Sequence, residues 1–357
     1  MSISHRKADH IQLCIDGDVG FKTKSTLFEE VDFLHNALPE LQVKDIDLTT
    51  TFAGQTLKAP VFIAAMTGGV DRADTINRDL ASVAQELGIG FAFGSQRPLL
   101  THGITAGYSV RDVAPDIPLL GNLGLVQAVS ATTSQIERLI EQSGISALCI
   151  HLNPAMEVVQ PEGDEDFRGG IECITRLVQE LSVPVIIKET GCGLSAKVAE
   201  TIKEIGIEAV DVSGAGGTSW VAVETHRALD HKKSLGEQFW DWGIPTAASV
   251  VQTADFGLDV CATGGMRNGL MIAKAIALGA SCGGLARVVL QAYDAGGKEG
   301  AKAFLVRTIQ EIRIAMLLTG SWTVSDLQQQ PLILGDRLLK WIPAGASVRQ
   351  RQFSGGQ

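Results

Sequence analysis

The six cysteines, Cys14, Cys149, Cys173, Cys192, Cys261 and Cys282, form no C-x-x-C pair, so the usual zinc and dithiol redox spacings are missing. Cys149, Cys261 and Cys282 sit inside apolar runs, where the expected role is that of a small core residue. A reduced, cytoplasmic setting is the expectation that follows. Positive charge is also in short supply. Thirty Lys and Arg against 40 Asp and Glu leave a net charge of −10. That balance argues against a general nucleic-acid surface, and any phosphate group has to be met by local basic residues. The longest charge-free stretch, 117–136, is interrupted by Pro118, two glycines and a run of Ser, Thr, Asn and Gln, so no membrane span is expected. The opening MSISHRKADH lacks the apolar core of a secretory signal. No low-complexity run or short repeat appears. No G-x-G-x-x-G unit stands in a strand–helix context, so any nicotinamide would bind transiently.

What the chain does have is eight short apolar runs, each ending in polar or glycine-rich residues. They are 59–67 (APVFIAAMT), 88–95 (GIGFAFGS), 117–124 (IPLLGNLG), 147–153 (ALCIHLN), 184–189 (PVIIKE), 209–214 (AVDVSG), 259–265 (DVCATGG) and 282–287 (CGGLAR). Strands covered by helices on both faces have no polar side, and these runs read that way. Their alternation with helical patterns predicts an α/β fold, a closed (β/α)8 TIM barrel with the polar strand ends gathered at one face. One domain over 1–357 is expected, with an N-terminal lead (1–58), the barrel (59–297) and a C-terminal helical tail (298–357). Helices are predicted over 74–87, with Ile76, Leu80, Val83, Ala84 and Leu87 at helical spacing, over 134–142 from a capping box of Ser134 and Glu137, and over 170–181, 195–205 and 266–278. Some 44 residues between Gly214 and Asp259 break the rhythm and hold Trp220, Trp240 and Trp242. A connection that long in a compact barrel is more often functional than idle, although a helix with a surface excursion is the plainer alternative.

The strand ends carry the chemistry. Strand six runs into SGAGGT (213–218), strand seven into GGMRNG (264–269) and a helix, and strand eight ends GGLAR (283–287). Glycine lets backbone N–H groups approach an anion, a helix N-terminus adds a favourable dipole, and barrels often build phosphate sites from their last loops. One glycine pair alone is as readily a tight turn, whereas three successive loops favour a phosphate site, with Arg267, Ser213 and Thr218 as further donors. Lys188 follows four apolar residues at the end of strand five and should point into the barrel mouth, where it needs an anionic partner. A Schiff-base lysine, a cation beside a flavin, and a salt bridge with Glu189 or Asp211 all remain open. On strand four, His151 and Asn153 alternate on one side, and Glu157 lies beyond them, a site for Mg²⁺ shared with a substrate phosphate or simply a solvated acidic loop. Arg6, Lys7 and His10, with GSQR (94–97), form a second basic group suited to a diphosphate.

Taken together, RKADHI, APVFIAAMTGG, FGSQR, GNLG, HLNPAMEVVQPEGD, VIIKE-x-G-x-G, GGTSW and GG-x-RNG, in order from Arg6 to Arg287, resemble the type 2, flavin-dependent isopentenyl-diphosphate isomerases. The resemblance implies FMN, Mg²⁺, a reduced flavin, a homo-oligomer (tetramer or octamer) and interconversion of isopentenyl and dimethylallyl diphosphate. It also implies that FMN is held by Ala65, Met66, Thr67, Ser95, Asn122, Lys188, Ser213 and Thr218, with its phosphate on Gly265, Met266, Arg267, Ala286 and Arg287. Substrate would meet Arg6, Lys7, His10, Ser95, Gln96, Arg97, His151 and Asn153, Mg²⁺ would sit on Glu157, and Trp220 would wall the isoprenoid pocket. Lys188, His151 and Asn153 are the expected catalytic residues. The family usually has glutamine immediately before the metal-binding glutamate, and here that position is Met156, which cannot relay a proton. Either the flavin handles the proton alone, Gln160 or a water substitutes, or the reaction is a related one.

The reaction expected from this resemblance is a 1,3-proton shift on a five-carbon allylic diphosphate, with NADPH as a reductant of the flavin. Two alternatives stand beside it. An FMN-dependent oxidoreductase on the same barrel would need net hydride transfer. A flavin or prenyl-diphosphate binder without turnover finds its only encouragement in Met156.

Overall fold

The computed structural model describes residue 13, residues 17–66, residue 68 and residues 71–353. Its centre is a ring of eight parallel strands, Val61–Ile63, Gly90–Ala92, Leu119–Gly124, Ala147–Leu152, Val185–Glu189, Ala209–Asp211, Asp259–Ala262 and Cys282–Leu285, each paired with its neighbours until the eighth closes on the first. These are the eight apolar runs in the predicted order, and the fold is the expected (β/α)8 barrel. The ordered strands are shorter than the runs, because the polar and glycine-rich ends leave the sheet and become the loops of the mouth.

The strand period explains what fills the ring. Phe62, Ala92, Leu120, Ala147, Cys149, Ile186, Ala209, Cys261 and Cys282 turn inward and pack as one cluster. The three strand cysteines are therefore the small core residues expected of them. A hairpin of Thr50–Phe52 and Gln55–Leu57 closes the end of the barrel opposite the mouth. Phe52, Ala53 and Leu57 join the interior cluster, and Phe52 meets Phe62 edge-on at 5.5 Å. The turn needs two left-handed residues, Ala53 and Gly54, and the Ala53 N–H is tied to Asp259 Oδ2 at 3.1 Å.

Three helix starts differ from the sequence reading, the first of them at Asp71, three residues ahead of the expected 74. The helix after strand three is Thr133–Ser143, and its capping box is Thr132 with Gln135 in place of Ser134 with Glu137. Both pairs satisfy the capping pattern, and Thr132 is the residue whose backbone stays extended. The helix after strand seven is Gly269–Ala277, capped by Asn268, because Gly264 and Gly265 have φ of 94° and 73° and keep the preceding residues out of the helix. The helices Gly170–Glu180 and Ala196–Glu204 lie within a residue of where the periodicity puts them.

The lead and the tail meet. Val31–Phe33 pairs antiparallel with Leu332–Leu334, so the tail contributes a strand as well as helices. Leu332, Leu338 and Ile342 are buried in the core of their own chain. No helix among the described residues is long and apolar enough to cross a membrane.

Phe52 is buried to 1% exposure at the sealed end of the ring. Phe52→Ala is expected to lower unfolding free energy by about 3–5 kcal/mol, read from the chemical denaturation midpoint. An unchanged midpoint would mean that the hairpin does not support the barrel.

Candidate functional site

Two residues beyond each inward apolar residue, the strands again point inward, now at the open end. The eight positions are Ala64, Gly94, Asn122, His151, Lys188, Asp211, Thr263 and Gly284, and all but Asp211 line one cavity of about 640 Å³. An apolar layer below and a chemically mixed layer above follow from the period of two.

Lys188 Nζ donates to Asp211 Oδ2 at 2.6 Å, and the other oxygen of Asp211 accepts from Thr263 Oγ1. Of the two anionic partners suggested by the sequence, Asp211 is the one present. Glu189 points out of the ring, where its Oε2 accepts backbone N–H groups from Thr190 and Gly191 at 2.6 Å each, from Cys192, and from Gly193 at 3.2 Å. Burial pushes the Glu189 carboxyl up to about 7 against the N–H groups of Cys192, Gly191 and Thr190 and the charge of Lys188. For Lys188, burial opposes the charge and Asp211 more than restores it, so its pKa lies above the ordinary lysine value.

His151 Nδ1 lies 2.8 Å from Asn122 Oδ1. Burial, and then the neighbouring Lys188, lower its pKa to about 4. The ring is therefore neutral near pH 7, with Nδ1–H directed at Asn122 and Nε2 left as an acceptor. In the turn that follows strand four, the helix Pro154–Val159 brings Glu157 back against the strand. Glu157 Oε1 accepts from Asn153 Nδ2 at 2.9 Å, and Oε2 accepts from the Asp164 N–H at 3.1 Å and from Gln160 Nε2 at 3.4 Å. Met156 lines the cavity, its Sδ 3.8 Å from Asn153 Nδ2.

The glycine-rich loops have a second reason to be glycine. A Cβ at Gly264 would collide with Gly214, and one at Gly217 would collide with Gly265, while Gly216 is pressed against Ser25 and Thr26. The loops after strands six and seven thus pack backbone to backbone, which only glycine allows. The first N–H groups of the helix after strand seven are already taken, Gly269 by Glu311 at 2.7 Å and Met271 by Asn268 at 2.9 Å. The backbone N–H groups of Gly265, Met266 and Arg267, and of Arg287 in the first turn of the helix after strand eight, find no acceptor among the described residues. Arg287 also has a buried Nε without an acceptor among the described residues, while one terminal nitrogen donates to Gly17 at 2.9 Å.

The residues named from the sequence converge on this cavity. Ala65, Met66, Ser95, Arg97, Asn122, His151, Asn153, Glu157, Lys188, Ser213, Thr218, Trp220, Gly265, Met266, Arg267, Ala286 and Arg287 all line it. Gln96 does not. It is fully buried, its Oε1 accepting the Asn122 N–H at 2.9 Å, so it braces strand three, while its Nε2 has no partner among the described residues. Arg6, Lys7, His10 and Thr67 lie outside the described residues. The sequence reading missed Gly20, Phe21, Lys24 and Ser25 of the lead, and Gln127 and Gln291, all in the wall. The pair of lysines in FKTKS, in an acidic chain, was the available signal for the lead segment. The long connection after strand six holds that segment in place. Trp240 Nε1 donates to Gly20 at 2.8 Å, Lys22 lies 4.1 Å over the Trp240 ring, and Asp241 accepts the N–H groups of Lys22 and Thr23 at 2.7 and 2.8 Å. Trp220 is the tryptophan of that connection that reaches the cavity, and Trp242 remains 60% exposed.

The FMN-dependent dehydrogenase family matches residues 2–158 and 166–334. An isopentenyl-diphosphate delta-isomerase of Methanothermobacter thermautotrophicus is 43% identical over 344 residues, covering 95% of this chain and 96% of that one. One from a Synechococcus species is 45% identical over 328 residues, covering 90% and 94%. The chain belongs to the FMN-dependent isopentenyl-diphosphate delta-isomerase family. Solved structures with the same fold include a flavocytochrome b2 mutant (TM-score 0.66, 18% identity, 99% of this chain and 89% of that one) and a mandelate oxidase (TM-score 0.62, 18% identity, 88% and 94%).

The site fits the cofactor of this family. The cavity volume falls in the range of about 300–1,000 Å³ usual for small-molecule sites. The unpaired N–H groups of 265–267 and the orphaned Arg287 Nε are what a phosphate needs, and Lys188 provides a cation on the cavity floor. For a metal the donor set is sparse. No group of three His, Cys, Asp or Glu exists among the described residues, so an ion at Glu157 would take its remaining ligands from substrate and water.

Because the folded pKa of His151 lies below its unfolded value, the stability it contributes is present above about pH 6.5 and is lost as pH falls toward about 4, by up to about 1.4 kcal/mol per unit. The imidazole resonances of His151 are expected to titrate near the lower value. A midpoint near 6.5 would contradict its burial beside Lys188.

Proposed function

We propose that this enzyme interconverts isopentenyl and dimethylallyl diphosphate, using reduced FMN and Mg²⁺. The observation that carries the reading is the full-length similarity to isomerases of that name, combined with Lys188, His151, Asn153 and Glu157 lining the same cavity as residues 265–267 and 287, whose N–H groups are unpaired among the described residues. Two separate anion-binding ends suit two phosphate-bearing molecules.

Reduced FMN, when bound, supplies an acid–base centre on its ring and a π-face for a cationic carbon. The chain's residues would do the rest. Gly265, Met266, Arg267, Ala286 and Arg287 would hold the cofactor phosphate, and Ala65, Met66, Ser95, Asn122, Ser213 and Thr218 would border the remainder. Thr67, Arg6, Lys7 and His10 are assigned by resemblance alone. Lys188, kept as an ammonium, would favour an anionic ring. Arg97 and Asn153 would donate to the substrate diphosphate. His151, neutral and anchored by Asn122, would offer its outer nitrogen as an acceptor to a water or hydroxyl proton beside that group, and not to the phosphate oxygens, which themselves accept. Glu157 would ligate Mg²⁺, which would offset the diphosphate charge and help to orient it. The substrate's C–H bonds are too weakly acidic for a carboxylate base, so the shift starts with protonation of the alkene and ends with proton loss from the neighbouring carbon. Trp220 and Met156 would supply apolar wall to the five-carbon chain. A thioether cannot relay a proton, so Met156 would take no part in the proton shift. NADPH as reductant, a homo-oligomeric assembly and a cytoplasmic setting complete the proposal.

Photoreduced holoenzyme with Mg²⁺ in D₂O is expected to convert isopentenyl diphosphate to its isomer with deuterium incorporated and the flavin still reduced. Net oxidation or reduction of the flavin by substrate, without isomer, would reject the proposal. Asn153→Ala is expected to weaken Mg²⁺ binding about 10–100-fold, because it removes the amide that orients Glu157. Met156→Gln is expected to change the rate by less than about tenfold. A gain of about 10²-fold or more would mean that a missing amide relay limits the reaction.

A further inference from the structure

An ammonium carries three N–H donors. Among the described residues Lys188 uses one of them, on Asp211 Oδ2 at 2.6 Å, which leaves two for whatever occupies the cavity. Asp211 is itself absent from the cavity wall. It lies between Lys188 and Cys261 in strand register, 7% exposed, with its second oxygen taken by Thr263. The other titratable groups around Lys188 offer no counter-charge in contact with it. Cys149 and His151 on strand four and Cys261 on strand seven are neutral, the thiols raised chiefly by burial or by the Cys261–Cys282 contact, and Glu189 on its own strand faces the loop 190–193.

We propose that Asp211 is a positioning residue that keeps Lys188 protonated before and after the flavin is reduced, so that reduction draws one proton and not two. This rests on the reading that the cavity holds FMN. Reduction to the anionic hydroquinone follows FMN + 2e⁻ + H⁺ → FMNH⁻, with a chemical reductant such as dithionite supplying the electrons. With Asp211 in place, Lys188 meets the new negative charge already charged. Without the carboxylate, a lysine buried under a neutral ring sheds its proton, and the anionic ring calls it back, so two protons enter per two electrons.

The test is the midpoint potential of bound FMN measured against pH, between about pH 6 and pH 9, for the wild type, Asp211→Asn and Asp211→Glu. The slope is expected to double in Asp211→Asn and to return to the wild-type value in Asp211→Glu. A purely structural role would alter cofactor affinity or melting temperature but leave the slope alone, and an unchanged slope in Asp211→Asn overturns the proposal. A second measurement needs no flavin. In the cofactor-free wild type, the ¹⁵N signal of the Lys188 ammonium, assigned by its loss in Lys188→Arg, is expected to persist beyond about pH 9. Deprotonation below that point also overturns the proposal. If the wild type takes up no FMN, the cavity reading fails, and the nitrogen titration still decides the role of Asp211.

Discussion

Closing eight parallel strands into a ring fixes which side chains can face inward, and the period of two then determines the layers. An inward Ile186 makes Lys188 inward as well, and Cys149 does the same for His151, Leu120 for Asn122 and Cys261 for Thr263. The lower layer is apolar and sealed by Phe52 and Leu57. The upper layer can therefore hold charge without exposing the core to water. A one-residue slip of any strand would bury its polar residue among helices and turn an aliphatic one into the mouth.

Within that upper layer the two charged residues, Lys188 and Asp211, form one pair. The Lys188–Asp211 pair is costly to bury, and it is retained with both carboxylate oxygens satisfied, which is the condition under which such a pair is tolerated. Glu157 is likewise held by three donors before any cation arrives. Another part of the cavity is arranged in the reverse sense, with donors left unpaired among the described residues at Gly265, Met266, Arg267 and Arg287. Unsatisfied donors at one part of the cavity suit an anionic ligand there, and the already satisfied Glu157 carboxylate suits a cation-bridged ligand only in the proposed reading.

The strands were legible because burial on both faces leaves a continuous apolar run, and the polar residue that ends each run marks the mouth. Lys188 could be aimed from sequence for that reason, and its partner could be narrowed to two residues. The choice between Glu189 and Asp211 required knowing that adjacent residues on one strand face opposite ways while register neighbours on two strands face the same way. Helix starts were less legible, since Thr132 and Ser134 carry the same capping chemistry and only backbone geometry separates them. Gly214, Gly264 and Gly265 were identified as anion-loop glycines, but the contact of one loop with the other, which also demands glycine, joins residues 50 apart in sequence. The lead segment around Lys24 was missed because its place in the wall depends on Trp240 and Asp241, over 200 residues away. Gln96 sits among cavity residues in sequence and still turns its amide into strand three.

The central claim is that one cavity receives a flavin phosphate at the loops after strands seven and eight and a substrate diphosphate beside strand four. A crystal structure of the reduced holoenzyme with Mg²⁺ and isopentenyl diphosphate tests it most directly. The account predicts the FMN phosphate on the N–H groups of 265–267 with Arg287, the ring against Lys188, and the diphosphate joined to Glu157 through the metal. A flavin phosphate seated beside Glu157, or a substrate diphosphate outside the cavity, would contradict it.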